Sequence, residues 1–204
     1  IQMKKTFLKN EENKYLQEID LFNNYPDYVL PIVKHYETTT HFIIEYEEHY
    51  TLSKVINKEL IDKLVSFLQI IHQKGIYYEY LCDQTIFFKN EEILFSINNK
   101  HFENININNK LYLDHNIYNQ DYNLKNDIYM LSLFIYQNYY NKLPNFDKFC
   151  KLTNKPYLKF SNVNYFSSYI NRIIELCFYQ KNNVNTILDS ILEDLKEARE
   201  VQLD

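Results

Sequence analysis

Ile70-Ile71-His72-Gln73-Lys74-Gly75-Ile76-Tyr77-Tyr78-Glu79-Tyr80-Leu81-Cys82-Asp83-Gln84-Thr85-Ile86-Phe87-Phe88 joins the end of a helix to the start of a strand. Upstream, Leu60, Ile61, Leu64, Leu68 and Ile71 recur at helical spacing, so residues 58–73 are predicted as an amphipathic helix. Gly75, the one glycine of the chain, suits the left-handed position that closes it. Downstream, Phe87-Phe88 and Ile93-Leu94-Phe95 flank Lys89-Asn90-Glu91-Glu92, the pattern of a hairpin. The connector between helix and hairpin carries two acids, Glu79 and Asp83, among tyrosines.

Working outward, residues 1–7 read as a short strand and Glu11 to Asn24 as a helix with Tyr15, Ile19 and Phe22 on one face. Tyr28 through Lys34 and His41 through Tyr46 read as strands joined by the polar turn Glu37-Thr38-Thr39-Thr40. Thr51 or Ser53 is a candidate cap for a short helix that follows. Residues 98–126 are polar, rich in asparagine and aperiodic, which predicts an extended loop. Residues 126–139 are apolar nearly all round and predict a central buried helix. Helices are also expected at about 166–179 and 185–203, the last with Ile187, Leu188, Ile191, Leu192 and Leu195 on one stripe. A few strands followed by a mostly helical remainder is an α+β pattern.

The composition narrows the classes. Of 204 residues 46% are hydrophobic, enough for a buried core. A net charge of −5 without a long basic run gives no footprint for nucleic acid or an acidic membrane surface. Twenty tyrosines, abundant asparagine and isoleucine, and no tryptophan reflect codon bias in part, so abundance alone does not mark these residues as functional. Cys82, Cys150 and Cys177 are odd in number and widely spaced, which reads as reduced thiols in a cytoplasmic compartment. No apolar run approaches about 18 residues and no signal peptide is read ahead of the domain, so a soluble chain is expected. The start at Ile1 leaves an excised or processed fragment open.

Several segments, in order, resemble landmarks of the protein kinase family. Ile1-Gln2-Met3-Lys4-Lys5 is similar to its Val-Ala-Ile-Lys strand, with Lys4 as the candidate phosphate-pairing lysine. Glu18-Ile19-Asp20-Leu21-Phe22 resembles the C-helix, with Glu18 as the partner glutamate, and Phe42 to Glu47 resembles the last small-lobe strand and hinge. His72-Gln73-Lys74-Gly75-Ile76 and Ile86-Phe87-Phe88 frame the catalytic loop. Asp127-Ile128-Tyr129-Met130-Leu131-Ser132 resembles the Asp-Ile-Trp-Ser-Leu-Gly helix, and Asn141-Lys142-Leu143-Pro144 its Gly-Lys-x-Pro sequel. The resemblance implies a two-lobed kinase-like fold, with an abbreviated small lobe over 1–46 lacking the Gly-rich loop strands and a mostly helical large lobe over 47–204.

The departures fall on the chemistry. Where the family reads His-Arg-Asp-Leu-x-x-x-Asn, this chain places Tyr78, Glu79, Tyr80, Leu81 and Thr85. In kinases the loop aspartate takes the substrate proton, while the loop asparagine and the Asp-Phe-Gly aspartate hold magnesium. Tyrosine is a poor base or ligand at neutral pH, and Thr85 offers one neutral oxygen. The Asp-Phe-Gly place falls near Ile97-Asn98-Asn99. By spacing, the family's large-lobe ion pair falls at His115 and Val184, so both ends are missing. Residues 97–126 contain no serine or threonine, leaving Tyr112, Tyr118 and Tyr122 as the loop's hydroxyls.

The resemblance therefore implies a catalytically inactive pseudokinase acting as a protein–protein scaffold or an allosteric regulator of an active kinase or other enzyme, with no cofactor and no metal. Lys4 and Glu18 are then either a residual nucleotide contact or a surface salt bridge. Glu79 and Asp83 are either solvated turn carboxylates or, in the alternative of an atypical ATP-dependent phosphotransferase, a replacement base. A small-molecule phosphotransferase would need the same missing aspartates. Asp127 and His72 are expected to be structural, Asp127 anchoring the catalytic-loop backbone. The last helix either packs or binds a partner. A sheet with three small-lobe strands would have an open edge needing cover, from upstream residues or another protein.

Overall fold

The computed structural model describes residues 3–48, 50–51, 56–103, 123–142, 144, 149–150, 155–156, 160 and 165–201. Outside them lie Ile1 and Gln2, Ser53, Tyr112, His115, Tyr118, Tyr122 and Leu143, and the side chains of Thr51 and Cys150 are likewise not described. The architecture is α+β, and the chain divides into two units, one of residues 1–53 with 76–108 and one of residues 54–75 with 109–204. This division departs from the expected boundary at 46/47. The physical reason is that the hairpin after the Tyr78–Thr85 connector adds strands and core side chains to the first unit.

In the first unit, β1 (Met3–Leu8), β2 (Ile32–Glu37) and β3 (His41–Tyr46) form an antiparallel sheet in the order β1-β3-β2. The central strand β3 is buried from Phe42 to Tyr46, so the side chains on both its faces are covered. Helix α1 (Glu12–Asn24) packs on β1 and β3. The ladder of β2 starts only at Ile32, later than the sequence suggested, because Pro31 has no N–H to donate. Tyr28-Val29-Leu30 instead pairs with Phe95, whose N–H donates to the Tyr28 carbonyl at 2.7 Å and whose carbonyl accepts from Leu30 at 3.1 Å. A second antiparallel sheet joins β4 (Tyr50–Thr51), β5 (Phe87–Lys89) and β6 (Glu92–Leu94). Phe7, Tyr15, Ile44, Tyr46, Phe87 and Phe102 belong to one apolar cluster beneath these elements.

The second unit is helical: α2 (Lys58–Gln73), α3 (Leu124–Tyr140), α4 (Tyr165–Tyr179) and α5 (Val184–Val201), with the short strands β7 (Phe149–Cys150) and β8 (Lys155–Pro156). Asparagine starts three of the four described helices. The side-chain oxygens of Asn57, Asn123 and Asn183 accept from the N–H of Leu60, Lys125 and Thr186 at 2.8, 2.8 and 2.9 Å. Asn123 shortens the expected loop, since α3 already begins at Leu124. Gly75, at φ +70°, closes α2 as expected, its N–H donating to the His72 carbonyl at 3.0 Å. Helix α3 is buried from Asn126 to Tyr136 and packs on α4. The apolar stripe of α5 packs against α2 and α4, so it is a core surface of this unit. No helix among the described residues is long and apolar enough to cross a membrane.

Candidate functional site

Side chains alternate along a strand, so Lys5 and Phe7 share the buried face of β1 while Lys4 and Thr6 share the other. Lys5 is completely buried, and α1 turns Glu18 toward it. The Lys5 ammonium donates to Glu18 Oε1 at 2.5 Å, to Ser96 Oγ at 2.6 Å and to the carbonyl oxygen of Ile97. An ammonium has three N–H donors, so its hydrogen-bonding capacity is filled. Glu18 Oε2 accepts in turn from the Tyr46 hydroxyl at 2.8 Å. The rings of Tyr46 and Phe102 flank the ammonium, with centroids 5.0 and 4.6 Å from Nζ, a cation–π arrangement.

This geometry corrects the assignment of the lysine. Lys4 faces away from Glu18, and its carbonyl accepts from the Glu103 N–H at 3.1 Å. The pair is Lys5–Glu18, and it is an interior pair, not a surface salt bridge. A signal for this was present: Lys5 has the strand parity of Phe7, and Lys4 does not. The face of α1 is widened with it, since Glu18 and Leu21 are buried beside Tyr15 while Phe22 is only partly buried. Tyr15 and Ile19 do pack in the core as the apolar periodicity predicts, but periodicity skips a glutamate, so it misses Glu18.

Burial lowers the Lys5 pKa below its ordinary 10.5, against the upward pull of Glu18 and, more weakly, Glu79. Tyr46 is held well above 10 by burial and by the Glu18 charge beside it. Glu79 is itself buried, which replaces the expected solvated turn carboxylate with an interior one whose field reaches Lys5. Asp83 opens a one-turn 3-10 helix, Asp83–Thr85, and is half-buried.

No protein-family model matches the chain, and no curated protein is recognisably similar to it in sequence. What the site can do therefore rests on its own chemistry.

The connector from Tyr78 to Thr85 is held by internal hydrogen bonds. Tyr78 is fully buried and its hydroxyl donates to the Thr85 carbonyl at 2.5 Å. The Thr85 hydroxyl donates to the Tyr80 carbonyl at 2.7 Å and accepts from the Cys82 N–H at 3.1 Å. The Asn99 amide reaches the carbonyls of Tyr78, Glu79 and Ser96 at 3.0, 2.9 and 2.9 Å. Glu79 and Tyr80 are consecutive left-handed residues, at φ 60° and 53°. Each costs about 1–2 kcal/mol for a side chain with a Cβ, and the Asn99 and Thr85 bonds hold them there. Asn99, Ser96 and Phe102 are site residues that the sequence did not single out individually.

In the second unit His72 Nε2 and Asp127 Oδ2 lie 2.9 Å apart, both buried. The pair ties α2 to the first turn of α3. Cys82 and Cys177 are free and buried. Among the described residues no group of three or more His, Cys, Asp or Glu side chains is placed to hold a metal ion.

Proposed function

We propose that this chain is a degenerate kinase-like domain, a pseudokinase, that works by binding a protein partner and does not transfer phosphate. The observation that carries the reading is Lys5, whose three donors are all engaged within the fold. A phosphate oxygen would have to displace Ser96 or the Ile97 carbonyl and part Phe102 from the ammonium. A lysine on the first strand paired with a glutamate on the first helix also supports kinase-like ancestry, in the order the resemblance implies. The places where that family holds its loop aspartate and asparagine carry Tyr80 and Thr85, and the Thr85 hydroxyl is turned into the connector. Without hard anionic ligands there is no charge neutralisation for a transferring phosphoryl group. Exposed Leu8, Leu16 and Val33 on the first unit are consistent with a protein partner, as scaffold or allosteric regulator of a kinase or other enzyme.

Thermal melting with ATP and magnesium tests the first half of the proposal. A ligand present at 100 times its Kd would add about 2.7 kcal/mol of stability, and no such shift is expected. Phosphoryl transfer abolished by Lys5→Ala would overturn the reading. Such a result would favour the second one, an atypical phosphotransferase, for which the buried Glu79 near Lys5 is the supporting observation. Affinity capture followed by mass spectrometry tests the second half.

A further inference from the structure

The edge of β1 that does not face β3 is covered by residues 99–103 of the same unit. Asn99–His101 form a one-turn 3-10 helix, Phe102 bridges Lys5 in antiparallel fashion, and the Glu103 N–H donates to the Lys4 carbonyl at 3.1 Å. Side chains clamp the segment at both ends. His101 Nε2 lies 2.8 Å from Glu11 Oε2, with its ring stacked on Phe7 at 4.6 Å. Glu103 Oε1 accepts from the Thr6 hydroxyl at 2.5 Å. Between the clamps, the Phe102 ring lies against the Lys5 ammonium.

We propose that residues 99–103 form a strap that closes the β1 edge and seals Lys5, so that solution reaches this lysine only when the strap lifts. The strap stands on geometry alone. Its consequence for a ligand, that a nucleoside polyphosphate would meet Lys5 only in the lifted state, rests on the kinase-like reading above. Two main-chain contacts, two side-chain clamps and the Phe102 ring hold residues 101–103 to β1, and the Asn99 amide anchors the start of the strap on the carbonyls of Tyr78, Glu79 and Ser96, so the part over Lys5 is a small patch that can open without unfolding the sheet. Variants that alter the strap and retain Glu18 separate shielding by the strap from the protonation of the paired ammonium.

The test is acylation of the intact chain by a water-soluble N-hydroxysuccinimide ester, with labelling of each lysine followed by peptide mass spectrometry. In the wild type Lys5 is expected to label far more slowly than the neighbouring Lys4. Phe102→Ala should raise the Lys5 rate by about tenfold or more with Lys4 unchanged, because labelling follows the population of the lifted strap. Thr6→Cys with Glu103→Cys provides the complementary variant, which does not disturb the core. Its oxidised, cross-linked form should label Lys5 more slowly than its reduced form.

Lys5 labelling at the Lys4 rate in the wild type would overturn the strap. So would equal Lys5 rates in the oxidised and reduced double-cysteine protein, even if Phe102→Ala fails to fold. A final arm repeats the Phe102→Ala labelling with ATP and without magnesium. Protection of Lys5 supports nucleotide access behind the strap, whereas its absence counts against the nucleotide assignment and leaves the strap standing.

Discussion

Adjacent lysines on one strand have opposite fates here. Lys5 is sealed with Glu18, and Lys4 is on the other face, so the two should differ sharply when the pair is broken. Removing one partner of a buried ion pair leaves the other charge uncompensated, typically at a cost of about 3–5 kcal/mol. Glu18→Ala should therefore lose stability on that scale in urea denaturation, while Lys4→Ala stays within about 0.5 kcal/mol. Equal, small losses would mean that the interior pair does not exist in solution. The sequence held half of this information. Glu18 was legible only through the resemblance of its segment to the kinase C-helix, and the choice between Lys4 and Lys5 needed the parity of Phe7. Ser96 and the Ile97 carbonyl were not legible individually, because a small hydroxyl and a main-chain oxygen leave no compositional trace.

At the scale of elements, scarcity of glycine shapes the turns. Left-handed positions that often take glycine hold Asn90, Glu91, Asn98, Asn141 and Gln180 as well as the Glu79-Tyr80 pair. The β5–β6 hairpin shows the effect most simply. Lys89 pairs with Glu92, so the loop is Asn90-Glu91, with φ 51° and 67°, the conformation of a type I′ turn. Asparagine is at home at the first position and glycine is strongly preferred at the second. Glu91→Gly should stabilise the protein by up to about 1 kcal/mol, since glutamate gains nothing from left-handed backbone and is exposed. A shift of the urea midpoint in the opposite direction would show that the turn is of another type. Elements with strong periodicity were readable: helix 58–73 and strand 41–46 fall at the expected residues. Weakly periodic pieces were not. The ladder of β2 slid past Pro31, and β4 is too short to carry a pattern.

The division of the whole molecule was the least legible feature. Residues 76–108 return to the first unit after a helix that belongs to the second, and nothing in local composition marks that return. It is visible only in long-range partners such as Lys5–Ser96 and Leu30–Phe95. A peptide of residues 1–53 should therefore lack slowly exchanging amides in β1 and β3, whereas the intact chain protects them. Protection in the short peptide equal to that in the full chain would show that the first three strands stand alone.

The acceptors of the Lys5 ammonium lie 13, 91 and 92 residues along the chain. That spread has a consequence for synthesis. Glu18 leaves the ribosome soon after Lys5, but Ser96 and Ile97 follow only after three more strands, a helix and a hairpin have emerged. Until then the lysine must stay hydrated, because no interior exists that can satisfy it. Loop closure over such separations is slow compared with local helix formation. Strand β1 is thus made before its partners and is among the last elements to reach its native surroundings.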